Sequence, residues 1–68
     1  MGSIAGLRKE LDETQTEFGR RLGVTMAAVS HYEHRRRRPQ WVIAQRIKRA
    51  AERAESEISW EEIMGAKP

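Results

Sequence analysis

Apolar residues recur at helical spacing along most of the chain, and no segment alternates apolar and polar residues in the pattern of a strand. A first stripe, which predicts a helix from Ser3 to about Asp12, is formed by Ile4, Leu7 and Leu11. A chain of 68 residues allows one domain with one small core. We therefore expect an all-α fold.

Two short helices joined by a glycine are predicted between residues 14 and 34. Thr14 and Glu17 form the Thr-x-x-Glu pattern of a capping box, which marks a helix start. Gly23 follows at a position where helices often end in a left-handed backbone conformation. Thr25 can cap the next helix, which should end around His34, just before four consecutive arginines. This is the order of a helix-turn-helix.

A longer apolar face follows Pro39, a residue suited to the first turn of a helix. The face consists of Ile43, Ala44, Ile47, Ala50, Ala51 and Ala54. Its polar tail, residues 52–57, is expected to fray. Ser59 and Glu62 repeat the capping-box pattern and predict a fifth helix of about Trp60 to Met64. The expected architecture is a compact five-helix domain over residues 1–68.

Composition excludes several classes of protein and site. The chain has no cysteine, so it can form neither a disulfide nor a thiolate metal site, which suits a reducing cytoplasm. No apolar run reaches membrane-spanning length, and the first residues lack the pattern of a signal peptide. We therefore expect a cytoplasmic, nucleoid-associated protein that does not associate with membranes.

The positive charge is concentrated in the middle of the chain. The net charge is −2 over residues 1–19, +8 over residues 20–49 and −3 over residues 50–68. A basic centre between acidic ends is typical of proteins that bind a phosphate backbone. Double-stranded DNA is the partner that this distribution favours.

The segment between Leu7 and Pro39 carries a set of residues at fixed spacing: Thr14-Gln15, Phe18-Gly19, Leu22-Gly23-Val24-Thr25, Val29-Ser30, Tyr32-Glu33 and Pro39. With these residues the chain resembles the Cro/C1-type helix-turn-helix family (lambda repressor-like, XRE family), and more loosely so through its last two helices. The resemblance implies a lambda repressor-like fold without a cofactor, with the helix-turn-helix at helices 2 and 3. In two departures, Gly19 stands where the family usually has alanine, and His34 where it often has Asn or Gly.

The resemblance also implies roles for single residues. In this family the second helix of the motif lies in the major groove, which assigns base contacts to Met26, Ala27, Ser30 and His31. Phosphate contacts fall to Gln15, Thr25, Arg35, Arg36, Arg37 and Arg38. Arg8 and Glu33 match a structural ion pair between helices 1 and 3. Because Met26 and Ala27 offer no strong hydrogen-bonding group, we expect sequence reading to depend on thymine methyl groups and DNA shape.

Catalytic and metal sites are not expected. His31 and His34 have the spacing of a metal-binding pair on a helix, but the sequence offers no evident third ligand. No nucleophile or glycine-rich phosphate loop accompanies the glutamates at positions 52, 55, 57, 61 and 62. These carboxylates are interpreted as a solvated surface, and the chain is not expected to be an enzyme.

Trp41 and Trp60 are large for so small a core and allow two interpretations. Both side chains can pack the base of the domain. Alternatively, a homodimer surface is formed by Trp60, Ile63 and Met64, since the family often dimerises through this end.

These observations favour a sequence-specific transcriptional regulator, a small repressor of phage, prophage or plasmid type that acts as a dimer on an inverted repeat. The alternative is an antitoxin-like interaction protein, which would cover a toxin partner with residues 52–62 and also bind its own promoter. A single-stranded nucleic-acid binder ranks last, because the chain lacks interleaved stacking aromatics.

Overall fold

A computed structural model describes residues 2–65. The five helices are α1 (Ile4–Glu10), α2 (Gln15–Leu22), α3 (Met26–Glu33), α4 (Trp41–Arg53) and α5 (Trp60–Met64). No strand occurs in the described part, so the expected all-α, five-helix fold is confirmed. None of the helices within these residues has the length and apolar character needed to cross a bilayer.

Hydroxyl side chains begin four of the helices. Ser3, Thr14, Thr25 and Ser59 each accept a hydrogen bond from the backbone N–H three residues further on. The capping box of α2 is complete, because the Glu17 carboxylate also accepts from the Thr14 N–H at 2.9 Å.

Two expected helix starts differ from the structure. The capping box of α5 is only half formed, since the Glu62 carboxylate contacts Arg35 instead of the Ser59 N–H. Pro39 does not open α4: Gln40 is the N-cap, and the buried Pro39 ring precedes it. The proline packs as part of the connection rather than as the first turn.

A left-handed residue follows the last turn of all five helices, and in α1 to α4 the next residue also donates a hydrogen bond back across the turn, as in a Schellman motif. At Gly23 the φ angle is +80°, the N–H of Gly23 donates to the Arg20 carbonyl, and that of Val24 donates to the Gly19 carbonyl. The equivalent positions after α1, α3 and α4 hold charged residues with φ of +59°, +59° and +55°: Asp12, Arg35 and Glu55. The tail expected to fray therefore leaves the helix after Arg53 through a closed turn.

We predict that Glu55→Gly stabilises the protein by about 0.5–1 kcal/mol. A left-handed conformation costs a residue with a Cβ about 1–2 kcal/mol. Glycine avoids this cost but loses more conformational entropy on folding, so the net gain in stability is smaller. Urea unfolding measures the difference. The matched control is Glu57→Gly, an exposed residue outside the positive-φ positions of residues 2–65, which should not gain stability. Equal or lower stability of Glu55→Gly than wild type would contradict the assignment of strain.

The core receives side chains from all five helices and from the segment before α5. Its largest fully buried members are Phe18, Leu7, Leu22, Ile47, Ile58, Ile63 and Val29. α2 and α3 meet closely at Gly19, where an added Cβ would lie 2.7 Å from the Val24 carbonyl oxygen. The glycine that departs from the family pattern is thus the residue that fits this crossing.

One carboxylate joins the first three helices. Glu33, at the end of α3, accepts from Arg8 Nε at 2.6 Å and from Gln15 Nε2 at 2.9 Å. Arg8 Nη1 also donates to the Glu13 carbonyl at 2.9 Å. The side chains of Arg8 and Glu33 are 16% and 6% exposed, so the pair is largely removed from water. The orientation of α3 is consequently tied to α1 and to the start of α2.

We predict that Glu33→Ala lowers the free energy of unfolding by about 3 kcal/mol, because the change leaves the Arg8 guanidinium poorly solvated and without its counter-ion. Chemical denaturation with matched m-values measures the loss. Glu52→Ala removes an exposed glutamate from α4 and should shift stability by no more than about 0.5 kcal/mol. Similar small effects of both substitutions would show that the buried ion pair does not hold the helices together.

Candidate nucleic-acid interface

The N-terminal part of α3 presents a mostly uncharged surface. Met26 and Ala27 are exposed, with Met26 at 53%, while Ser30 and His31 are half-buried. The opposite side of the helix enters the core through Ala28, Val29 and Tyr32. All four residues expected to contact bases therefore have some solvent access and share one helix.

Hydrogen bonds already engage several polar groups of this surface. The Thr25 hydroxyl accepts from the Ala28 N–H at 3.1 Å and so caps the helix. His34 Nδ1 lies 2.9 Å from the Ser30 carbonyl oxygen and 3.5 Å from its hydroxyl. His34 thus folds back along α3, which gives it a role at the helix end rather than beside His31.

Gln15 lies at the N-terminus of α2, where the partial positive charge of a helix favours an anion. Its side-chain amide donates one hydrogen to Glu33. The second amide hydrogen and the carbonyl oxygen are not used in that bond. The contact with Glu33 fixes the direction of the side chain, so Gln15 is pre-oriented before any ligand arrives.

The arginine run forms an exposed loop between α3 and α4. All four side chains line one recess of about 270 Å³, whose other walls include Tyr32, Glu62 and Ile63. Arg35 differs from its three neighbours because its Nη2 is 2.7 Å from a Glu62 carboxylate oxygen. Within residues 2–65, Arg36, Arg37 and Arg38 form no ion pair of this kind. The loop therefore offers three guanidinium groups without a carboxylate partner there.

A second arginine cluster, not expected from the sequence, lies along a groove between α2 and α4. It consists of Arg21, Arg46, Arg49 and Arg53. Arg46 Nη1 donates to the Leu22 carbonyl at 2.9 Å and so completes the C-terminus of α2. Arg21 binds the Glu13 carboxylate, and this hydrogen bond raises the pKa of the Arg21 guanidinium. Arg21 and Arg53 lie in the last turns of their helices, so helix-end electrostatics account for these two members of the cluster.

The two tryptophans form an exposed stack instead of packing the core. The ring centroids of Trp41 and Trp60 are 5.2 Å apart at an interplanar angle of 23°, and Trp41 is 57% exposed. Lys48 Nζ lies 5.8 Å from the Trp60 ring centroid, and Val42, which follows Trp41 in α4, is also exposed. We call Trp41 and Trp60 the aromatic patch.

This arrangement changes the expected dimer surface. Ile63 is fully buried in the core with Ile58, so its side chain supports α5 from inside and is not exposed to a partner. Met64 is half-buried against the same core. The exposure of Trp41 and Val42 was not expected, although Val42 shares a helical stripe with Arg46, Arg49 and Arg53. Such a stripe is the signal of a solvent-facing position.

No metal-binding arrangement is present in the described part: no three histidine or carboxylate side chains of residues 2–65 converge as ligands. His31 and His34, whose spacing is that of a metal-binding pair, have no third ligand close by among those residues.

Comparison with protein families adds an independent finding to this geometry. A family model described as helix-turn-helix matches residues 4–58, which include α1 to α4. Searches of curated proteins and of solved structures gave no significant match. The matched family is one of DNA-binding regulatory domains and not of enzymes. The match covers most of the chain, and the protein therefore belongs to the Cro/C1-type helix-turn-helix (XRE) family of DNA-binding transcription regulators.

Proposed function

We propose that the protein is a sequence-specific repressor of phage, prophage or plasmid type that binds an inverted repeat in double-stranded DNA as a homodimer. The observation that carries this proposal is the exposed start of α3, on a helix whose other end contacts the oriented Gln15 and continues into the arginine loop. A base-reading helix accompanied by phosphate-binding groups is the arrangement of helix-turn-helix proteins. Such a regulator acts in the cytoplasm, at the nucleoid.

Side-chain chemistry determines which residues of this interface contact bases and which contact phosphates. Met26, Ala27, Ser30 and His31 read the major groove. Phosphates are held by Gln15, Thr25 and the arginine loop, residues 35–38, of which Arg35 is also engaged by the Glu62 carboxylate. Since Met26 has the largest exposed apolar surface on α3, thymine methyl groups are its natural contacts. Positions without such contacts are read through DNA shape.

The aromatic patch supports the dimer. Exposed tryptophans are frequent in protein interfaces, because each buries a large area at low entropic cost. On one DNA face, a two-fold pair of domains must place its recognition helices about 34 Å apart. Contact through Trp41 and Trp60 supplies the isologous interface that such a pair requires.

We predict that selection from a random duplex pool at two salt concentrations enriches an inverted repeat with half-sites centred about ten base pairs apart. Thymine should dominate at the positions facing Met26. Because base contacts do not depend on counter-ion release, the enriched motif should remain the same at higher salt while total binding falls. Recovery of unenriched DNA, with binding that collapses at higher salt, would exclude a sequence-specific repressor.

We predict that Trp41→Gln abolishes dimerisation and weakens binding to the two-half-site operator by about 10-fold or more, while binding to a single half-site is unchanged. Sedimentation of the free protein at high concentration and titration of both DNA lengths measure the two effects. Met26→Gln, which replaces a side chain of similar exposure on α3, is the control and should sediment like wild type. If the Trp41→Gln protein still bound DNA with two half-sites more tightly than DNA with one, the assigned interface would be contradicted.

An antitoxin-like protein remains the second candidate, favoured by the same aromatic patch beside the exposed carboxylates of Glu57 and Glu61. In that case the patch would contact a small basic protein instead of a second copy. Co-purification of such a protein with the untagged chain, lost in Trp41→Gln, supports the antitoxin. A homodimer that purifies without a partner supports the repressor.

A further inference from the structure

Glu62 is the only acidic side chain among the described residues that line the arginine recess. It reaches the recess from α5, and its carboxylate lies 2.7 Å from Arg35 Nη2, a residue 27 positions earlier in the chain. A carboxylate and a phosphate bind a guanidinium in the same way, through oxygens that accept its N–H groups. Glu62 thus occupies the place on Arg35 that a DNA phosphate would otherwise take.

The helix itself does not require this contact. Ser59 and Glu62 repeat the pattern of Thr14 and Glu17, and in that earlier capping box the glutamate returns to the N-cap N–H. Glu62 could likewise accept a hydrogen bond from the Ser59 N–H, three residues earlier, yet its carboxylate binds Arg35. The position of this charge is therefore determined by the arginine loop and not by the start of α5.

The ion pair is also exposed enough to exchange. The side chains of Arg35 and Glu62 are 47% and 24% exposed, so solvent and salt screen their attraction. A phosphate brought close by the rest of the interface can replace the carboxylate, but only after the Arg35–Glu62 ion pair breaks. The free energy lost with that ion pair reduces the net contribution of Arg35 to DNA binding.

We propose that Glu62 is a built-in competitor of DNA phosphate for Arg35, and that it restricts the arginine loop to the phosphate contacts of Arg36, Arg37 and Arg38. It thereby sets the strength and salt dependence of binding to DNA of any sequence. The inference rests on the proposed function, because it assigns the residue that limits the phosphate contacts of that interface.

The test compares Glu62→Gln with Glu61→Gln on a duplex of arbitrary sequence over a series of salt concentrations. Both substitutions remove one negative charge from α5, but Glu61 is exposed and forms no ion pair among residues 2–65. Glu62→Gln should bind about two- to five-fold more tightly than Glu61→Gln at low salt. Its slope of log K against log salt should be steeper by about 0.9, the value of one added phosphate contact.

A second comparison does not depend on changing Glu62. In the wild-type background, Arg37→Gln should make the slope shallower by about 0.9, whereas Arg35→Gln should change it much less. Equal slopes for Glu62→Gln and Glu61→Gln, or equal losses for Arg35→Gln and Arg37→Gln, overturn the inference and leave the DNA-binding function intact. Absence of duplex binding by the wild-type protein overturns both.

Discussion

The rest of the structure depends on the pairing of Glu33 with Arg8. The Glu33 side chain is only 6% exposed, and burying a carboxylate costs free energy unless its charge is compensated. Arg8 Nε compensates it at a distance of 2.6 Å. Because Gln15 donates to the same carboxylate, the start of α2 and the helix that we propose to read bases share one anchor. A shift of α3 relative to α1 would break both contacts. The proposed phosphate and base contacts are therefore held in a fixed position relative to each other.

Positive charge serves two purposes in this small domain. Arg8, Arg21 and Arg46 are engaged by a carboxylate or a helix carbonyl, so they contribute to the fold. Arg36, Arg37 and Arg38 project from the loop without a carboxylate partner in the described part. The net charge of a segment thus overstates the charge that DNA can reach, because internal contacts neutralise some groups before a ligand arrives.

Local signals allowed the hydroxyl caps at Thr14, Thr25 and Ser59 and the turn at Gly23 to be predicted, since each depends on residues within one helical turn. The half-formed capping box at Ser59 could not be predicted, because the competing Arg35 is distant in sequence. The left-handed helix ends at Asp12 and Glu55 carry no glycine to mark them. Likewise, the sequence contains two tryptophans, but it could not show where they pack. Only tertiary packing determines that Trp41 stacks on Trp60 at the surface.

The position of α5 links the two proposed surfaces. This five-residue helix is held by Ile63 in the core, by the Trp41–Trp60 stack on one side and by the Arg35–Glu62 ion pair towards the loop. Trp60 and Glu62 are two residues apart, so they point to different sides of one short rigid element. In the proposed dimer, contact on Trp60 fixes α5 and, through Glu62, the part of the loop that contains Arg35. In this proposal, dimer assembly and phosphate contact both involve α5, through Trp60 on one side and Glu62 on the other.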